Sequence, residues 1–419
     1  MPSSVTVSPE PAISSHRAWL IVAILTVTLV INYVDRQVAF SIFPALRQDL
    51  GFNNQQLALI GTLFIFVYSG CSPIVGRLAD IFRRERLVVI SLLLWSLCTL
   101  ATGMAGSVNA FLFWRAMMGV TEALYMPAAL SIVAVVHTGS TRSTALAVHA
   151  CGQMAGIVVG GWFGGWAADH WGWRTGFVVL AAIGIGFAPI LRLVLGRIPE
   201  PASHGKVAST PAEVLSSRCI RALAIAFFML CGMLWMFYAW LPAYIFDKFR
   251  LSMTESGLVA TLYLQAATTT GILLGGALAD RIVKQTPAGR FYIGGAGLIV
   301  SAPFAYWTFA AGSVDALKIA AVGFGLFAGI MIANVFAASY DVISQRNYGF
   351  ATGGLNLIGG VAGGIGIFLA GAWKDSIGLH GLIGWTAIGA AVAAAAMIVV
   401  ASRSFAADRE RAGMRMVVD

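Results

Sequence analysis

Twelve long apolar runs, each bounded by polar or charged residues, recur along the chain at roughly 19–42, 57–78, 87–106, 111–136, 144–167, 175–195, 220–245, 257–279, 292–311, 316–339, 351–372 and 381–402. A membrane-spanning helix needs about 20 mainly apolar residues, so each run is long enough to cross a bilayer. None alternates apolar and polar positions as a barrel strand does. An open sheet edge has no bonding partner in hydrocarbon, so the runs predict helices. The pattern defines an all-α membrane protein with twelve transmembrane helices.

The longest polar stretch, 196–218, carries Pro199, Pro201 and Pro211 among charged and hydroxyl residues. It predicts a cytoplasmic linker between two six-helix bundles, 1–195 and 219–419. The segment Met1 to Arg17 is polar and lacks a cleavable signal pattern, so the first run reads as an uncleaved anchor. An internal repeat supports the division. Gly76-Arg77-Leu78-Ala79-Asp80 and Gly276-Ala277-Leu278-Ala279-Asp280 match at four of five positions, 200 residues apart. A weaker echo pairs Gly160, Gly161 and Asp169 with Gly363, Gly364 and Asp375.

Composition sharpens this picture. Of 419 residues, 58% are hydrophobic and only 11% charged, against about a quarter charged in soluble domains. The 47 glycines suit close helix packing in lipid. Cys71, Cys98, Cys151, Cys219 and Cys231 lack metal-ligand spacing and read as small buried hydrophobes. With the amino terminus placed inside, 19 Lys and Arg fall on the cytoplasmic side and 6 outside, and Arg36 and Arg115 lie within spans. That bias places both termini in the cytoplasm and makes the net charge of +9 topological, with no nucleic-acid partner implied. Contact with anionic inner-leaflet lipid is expected. The chain is expected in the cell's inner (plasma) membrane, as a multi-pass monomer.

Four charges lie clearly within spans: Asp35, Arg36, Arg115 and Glu122. Each costs about 2.5–3.5 kcal/mol at the bilayer centre on insertion scales, so they must face one another or a wet cavity. Arg115 and Glu122 are seven residues apart and share one helical face with Gly119 between them, leaving room for a partner helix or ligand. Two readings stay open. The four form a static network joining the first and fourth spans, or the arginines hold a carboxylate and the acids carry protons. The six histidines are scattered and no nucleophile–base set or ATP-binding loop appears, so no enzyme and no cofactor is expected. Two cavity arginines disfavour a cationic cargo.

The run Gly76–Arg86 resembles the signature loop of the major facilitator superfamily, which implies the major facilitator fold. Arg83 and Glu85 depart from that family's pattern. The resemblance implies a gating latch built from Gly76, Asp80 and Arg84, repeated at Gly276 and Asp280; a positive-inside anchor is the plainer alternative. The motifs Asn32-Tyr33-Val34-Asp35-Arg36, Arg115-x-x-x-Gly119-x-x-Glu122-Ala123 and Phe237-Tyr238-Ala239-Trp240-Leu241-Pro242-Ala243-Tyr244 resemble the anion:cation symporter family of proton-coupled organic-anion carriers. That resemblance implies substrate contacts at Arg36, Arg115, Tyr33, Tyr68 and Gln153, and proton coupling at Asp35 and Glu122. Its partners are then a small organic anion, such as a sugar acid, and protons. In the second half Tyr238, Asn334 and Asn356 are the foremost cavity candidates. Trp235, Trp240, Gln265 and Thr269 either join them or pack in the core. His149, one turn before Gln153, reads as a structural histidine or a pH sensor. The Asn-Tyr-x-Asp-Arg-Gln run also resembles spinster-like carriers, whose cargo would be a lysolipid or sphingoid lipid.

Overall fold

The computed structural model describes residues 14–137, 141–196, 198 and 211–413, with 72–81 described only as continuing a helix. The expected tail before residue 14, most of the expected linker, and the surroundings of Gly76 and Asp80 lie outside the described residues. Among the described residues the structure is helical, with no strand.

The helices are α1 (Ser15–Ser41), α2 (Phe43–Leu50), α3 (Asn54–Ile81), α4 (Arg84–Gly103), α5 (Val108–Ala123), α6 (Tyr125–Val136), α7 (Arg142–His170), α8 (Trp173–Leu195), α9 (Pro211–Ser216), α10 (Arg218–Phe249), α11 (Met253–Ile282), α12 (Gly289–Ala310), α13 (Val314–Tyr340) and α14 (Tyr348–Arg411). Among the described residues ten helical stretches are long and apolar enough to cross a membrane. The last of them turns at Gly378 (φ 70°, ψ 160°) into two arms. Only glycine holds that backbone without strain.

Three departures from the apolar pattern have local causes. The run 111–136 is not one helix but two, α5 and α6, separated at Leu124. Pro127 offers no N–H to the Ala123 carbonyl and its ring crowds that carbonyl, so the ladder breaks one residue after Glu122. Pro44 does the same after Phe40, ending α1 and starting α2, a short helix that no apolar run announces. The linker region contains α9, fixed where Glu213 accepts from the Ser344 amide (2.7 Å) and from Arg346 (3.1 Å). The cysteines are free, but Cys151 is exposed and Cys71 half-buried, so only Cys98, Cys219 and Cys231 fill the expected core role.

Glycine stripes set the packing. A Cβ at Gly152, Gly156, Gly160 or Gly164 of α7 would stand 2.6–2.9 Å from atoms of α1, so these two backbones touch. In lipid there is no hydrophobic drive between helices, and such close approach supplies dispersion contacts instead. Helices α1 and α7, α3 and α5, and α4 and α8 lie together. In the same pattern α10 packs with α14, α11 with α13, and α12 with α13 and α14. Two further contacts, α7 on α11 and α3 on α14, join these sets.

The joining contacts gather towards one end of the molecule. Arg47 of α2 donates to Asp247 of α10 (3.0 and 3.2 Å), which also accepts from Lys374 of α14 (3.1 Å). Asp375 accepts from Asn54 at the start of α3 (2.9 Å). Asp169, ending α7, accepts from the Thr254 amide (2.8 Å) and hydroxyl (2.6 Å) at the start of α11. Along α14, Gly359 to Gly371 are packed, whereas Gly349, Gly353 and Gly354 have nothing within 4 Å of an added Cβ. Gly276 at the far end of α11 is equally open. Among the described residues, the polar contacts that join the two sets of helices thus close one end of the bundle.

Candidate functional site

The four intramembrane charges meet between α1, α4 and α5. Arg36 Nε donates to Glu122 Oε2 at 2.5 Å, and Glu122 is fully buried. The Arg36 guanidinium also lies 4.7 Å from the Tyr33 ring centroid, 4.9 Å from Phe64 and 4.8 Å from Tyr68. Three aromatic faces thus hold one cation, each such contact contributing about 0.5–2 kcal/mol. The ring cage and the Glu122 carboxylate together hold the guanidinium in place.

Arg115 is buried more deeply. Its Nη1 donates to the Asp35 backbone carbonyl (3.2 Å) and to Met118 Sδ (3.0 Å), while Nε and Nη2 have no partner among the described residues. Its guanidinium lies 5.4 Å from the Phe64 ring centroid, so Phe64 touches both arginines. Both carboxylate oxygens of Asp35 lack a hydrogen bond among the described residues, as does Nε1 of the neighbouring Trp95, with Thr99 alongside. Glu122 Oε1 and both amide atoms of Asn32 are likewise unmet although the two side chains adjoin. Leaving a buried polar atom unbonded costs about 1–3 kcal/mol, more for a charged group. Their concentration around one acid pair makes this the candidate functional site.

The local backbone explains the placement. Gly119, expected to leave room beside Arg115, lets α3 in: an added Cβ would stand 2.7 Å from the Phe64 carbonyl. That approach brings Phe64 and Tyr68 against Arg36. The Pro127 break leaves Glu122 on the last turn of α5.

The remaining expected residues separate into groups. Tyr33 and Tyr68 join the cage, and the Tyr33 phenol lies within electrostatic reach of Tyr68, Glu122 and Tyr238. Tyr238 is half-buried on α10 and stacks edge-on against Trp235. Gln153 is half-buried on α7. Asn334 is not free to face a cavity: its amide donates to the Ile330 (2.9 Å) and Gly275 (3.4 Å) carbonyls inside the α11–α13 contact. Asn356 is exposed on α14. Trp240 is fully buried, donating to the Ile367 carbonyl at 3.2 Å, and belongs to the core. His149 is buried beside Tyr125 with neither ring nitrogen bonded among the described residues. Of the gating set, Arg84 opens α4 half-buried and Asp280 accepts from Arg290 (3.1 Å), which also grips Asp341 (2.8 Å).

Two contributors escaped the motif reading. Phe64, between the arginines, has no polar signature. Gln37 donates to the Tyr238 carbonyl at 3.1 Å, tying α1 to α10. The signal for that tie was present: Pro242, four residues on, cannot donate to Tyr238, so the carbonyl needs another donor.

A polytopic helical bundle, closed at one end and holding a buried ion cluster midway, is the build of a multi-pass membrane transporter. The chain matches the model of the Major Facilitator Superfamily over residues 25–288 and 223–414, and it belongs to that superfamily. It is 26% identical over 371 residues to the probable sulfoacetate transporter of Cupriavidus necator, covering 82% of this chain and 84% of that protein. It is 27% identical over 315 residues to the probable galactarate/D-glucarate transporter of Bacillus subtilis, covering 67% of this chain and 68% of that protein. A solved bacterial homologue of the human lysosomal transporter Spinster, in an inward-facing and occupied conformation, superimposes with a TM-score of 0.84 at 19% identity, covering 94% of this chain and 99% of that one. That likeness concerns the fold alone.

Proposed function

We propose that this transporter carries a small organic anion together with protons, by alternating access between two six-helix halves, 1–195 and 219–419, with twelve spans and both termini cytoplasmic. The observation that carries the reading is the caged Arg36, ion-paired to a buried glutamate and next to a second acid without partners. The carboxylate of the cargo takes Arg36. Arg115, with two unmet donors, adds positive charge beside Phe64. An anion approaching Arg36 competes with Glu122, and protonating Glu122 releases the arginine for it. Anion and proton therefore bind together, which is the requirement for symport. In this orientation the closed end faces outside. The relatives named for sulfoacetate and for galactarate or glucarate support an acid cargo.

The test uses purified protein in liposomes. Glu122→Gln is expected to abolish uptake of galactarate driven by a pH gradient while leaving counterflow exchange measurable. Undiminished pH-driven uptake in that variant removes Glu122 from coupling. A second reading, an amphipathic lipid cargo, draws on the resemblance of the Asn32–Gln37 run to spinster-like carriers. Thermal shifts with a carboxylate panel and a lysolipid panel separate the two, because only one panel should raise the melting temperature.

A further inference from the structure

We propose that Gln265 of α11, with Tyr238 of α10, is the specificity-determining pair that reads the hydroxyl or second acid group of the cargo at the end remote from Arg36. The inference rests on the anion reading above and extends it to the second half of the molecule. Gln265 is 1% exposed, and neither its Oε1 nor its Nε2 has a hydrogen-bond partner among the described residues. It is not stranded in a hydrophobic interface, because the Tyr238 side chain lies alongside it. A primary amide offers two donors and an acceptor. Leaving all of them unused in a protein interior is a persistent penalty unless another state or a ligand meets them.

The helix register shows where this amide sits. The face of α11 that carries Gly257 and Thr261 lies against Gly161 of α7, and Met253 lies against Gly165. The two helices run antiparallel, so two turns inward from the Gly161–Gly257 contact Gln265 comes level with Gln153. Both glutamines therefore stand at one level of the α7–α11 pair, between the closed end and the middle of the bundle. On the other side the Tyr238 backbone is fixed to α1 by the Gln37 bond. Tyr33, which lies 4.7 Å from the Arg36 guanidinium, is one turn from Gln37 on the same face of α1, so the cage and the tie to Tyr238 share that face. Tyr33, Tyr238 and Gln265 thus lead from Arg36 in the first half to the second. A carboxylate on Arg36 directs the rest of a polyhydroxy acid, or of a diacid, along that line to the amide.

A site built to hydrogen-bond a substrate group rejects analogues that lack it, because its own buried polar atoms are then left unpaired. Binding to the reconstituted or detergent-purified full chain is measured for galactarate, gluconate, adipate and hexanoate. For Gln265→Leu, similar in volume and without polar atoms, the preference for gluconate over hexanoate is expected to fall about tenfold, with hexanoate affinity within about threefold of the parent. Gln265→Glu keeps the volume and the acceptors and is expected to discriminate against galactarate and adipate in particular, through like-charge repulsion. Gln265→Leu adds no buried polar atom and should leave the melting temperature close to the parent's, whereas Gln265→Glu adds a buried acid and is compared below its own, lower melting temperature. An unchanged gluconate-to-hexanoate ratio in both variants overturns the proposal even if Arg36→Ala abolishes binding of all four acids. If the parent protein binds none of the four, the anion reading itself fails and the Gln265 role goes with it.

Discussion

Replacing Asp169 by alanine should open the closed end of the molecule without unfolding it. The carboxylate accepts from the amides of Met253 (3.3 Å) and Thr254 (2.8 Å) and from the Thr254 hydroxyl (2.6 Å). It therefore sits on the positive end of α11, where an anion is favoured by both the free N–H groups and the helix dipole. Helix α11 does not need Asp169 to form. Its own capping box, Ser252 with Glu255, already meets the first turn (3.1 and 3.3 Å). Opening the end exposes the Met253 and Thr254 amides to water, so the Asp169 bonds exist in one state and not the other. Only such a differential contact moves a conformational equilibrium.

Loss of a capping carboxylate costs about 0.5–2 kcal/mol, which shifts the closed-to-open ratio by about 2- to 30-fold. The shift is read by electron–electron double resonance between spin labels at the exposed positions Gln55 and Ser376 in a cysteine-free background. Those labels report the α3–α14 side, away from the substitution, so a longer distance there means that the whole end has opened. Asp375→Ala, which frees Asn54 on that side, should act in the same direction, and the two effects should add. An unchanged distance distribution in the double variant would refute the reasoning and reduce both aspartates to surface contacts.

Three further outcomes follow from particular contacts. Gly156→Leu places a side chain where even a Cβ stands 2.6 Å from Tyr33 Cβ, so α1 and α7 must part; the melting temperature and anion binding should both drop. Gln37→Leu strips the donor from the Tyr238 carbonyl at a cost of about 1–3 kcal/mol, and adding Pro242→Ala should recover much of it, because residue 242 then supplies an N–H within the helix; no recovery in the melting temperature would deny that Pro242 created the vacancy. Asp49, held by Arg174 and then Trp173, titrates below its ordinary range, so its stabilising effect is present above about pH 3.9 and fades as pH falls through the lowered value. The difference in melting temperature between the parent and Asp49→Asn should accordingly shrink from pH 7 towards pH 3.

The apolar runs were legible because hydrocarbon imposes one demand on every spanning segment, namely that backbone groups be bonded within the helix. The cluster was legible for the converse reason: a charge among such residues is costly, so Asp35, Arg36, Arg115 and Glu122 stood out and had to have neighbours. Hydropathy is blind to what happens within a run. It passes over Pro127 and Pro44, which cut α5 from α6 and α1 from α2, because proline changes the ladder and not the apolarity. It likewise passes over Phe64, whose part in the site comes from lying between two cations brought in by Gly119. Asn334 shows a different limit. Polarity in a span marked it as a cavity candidate, but an amide can spend its donors on a neighbouring backbone, as Asn334 does at Ile330, and sequence alone does not tell which.

Proline and glycine together account for where the polar groups of this site ended up. Each proline inside a long helix leaves a carbonyl four residues earlier without its usual donor, and each glycine face decides which helix is near enough to answer. At Pro242 the answering group is Gln37, brought within reach because Gly160 lets α1 lie on α7 at the level of Gln37. The tie spans the two sets of helices that must move against each other if access alternates. It is made to a backbone carbonyl, which keeps its position whatever the tyrosine side chain does. Tyr238 thus holds α1 against α10 through its main chain, while its ring lies edge-on to Trp235.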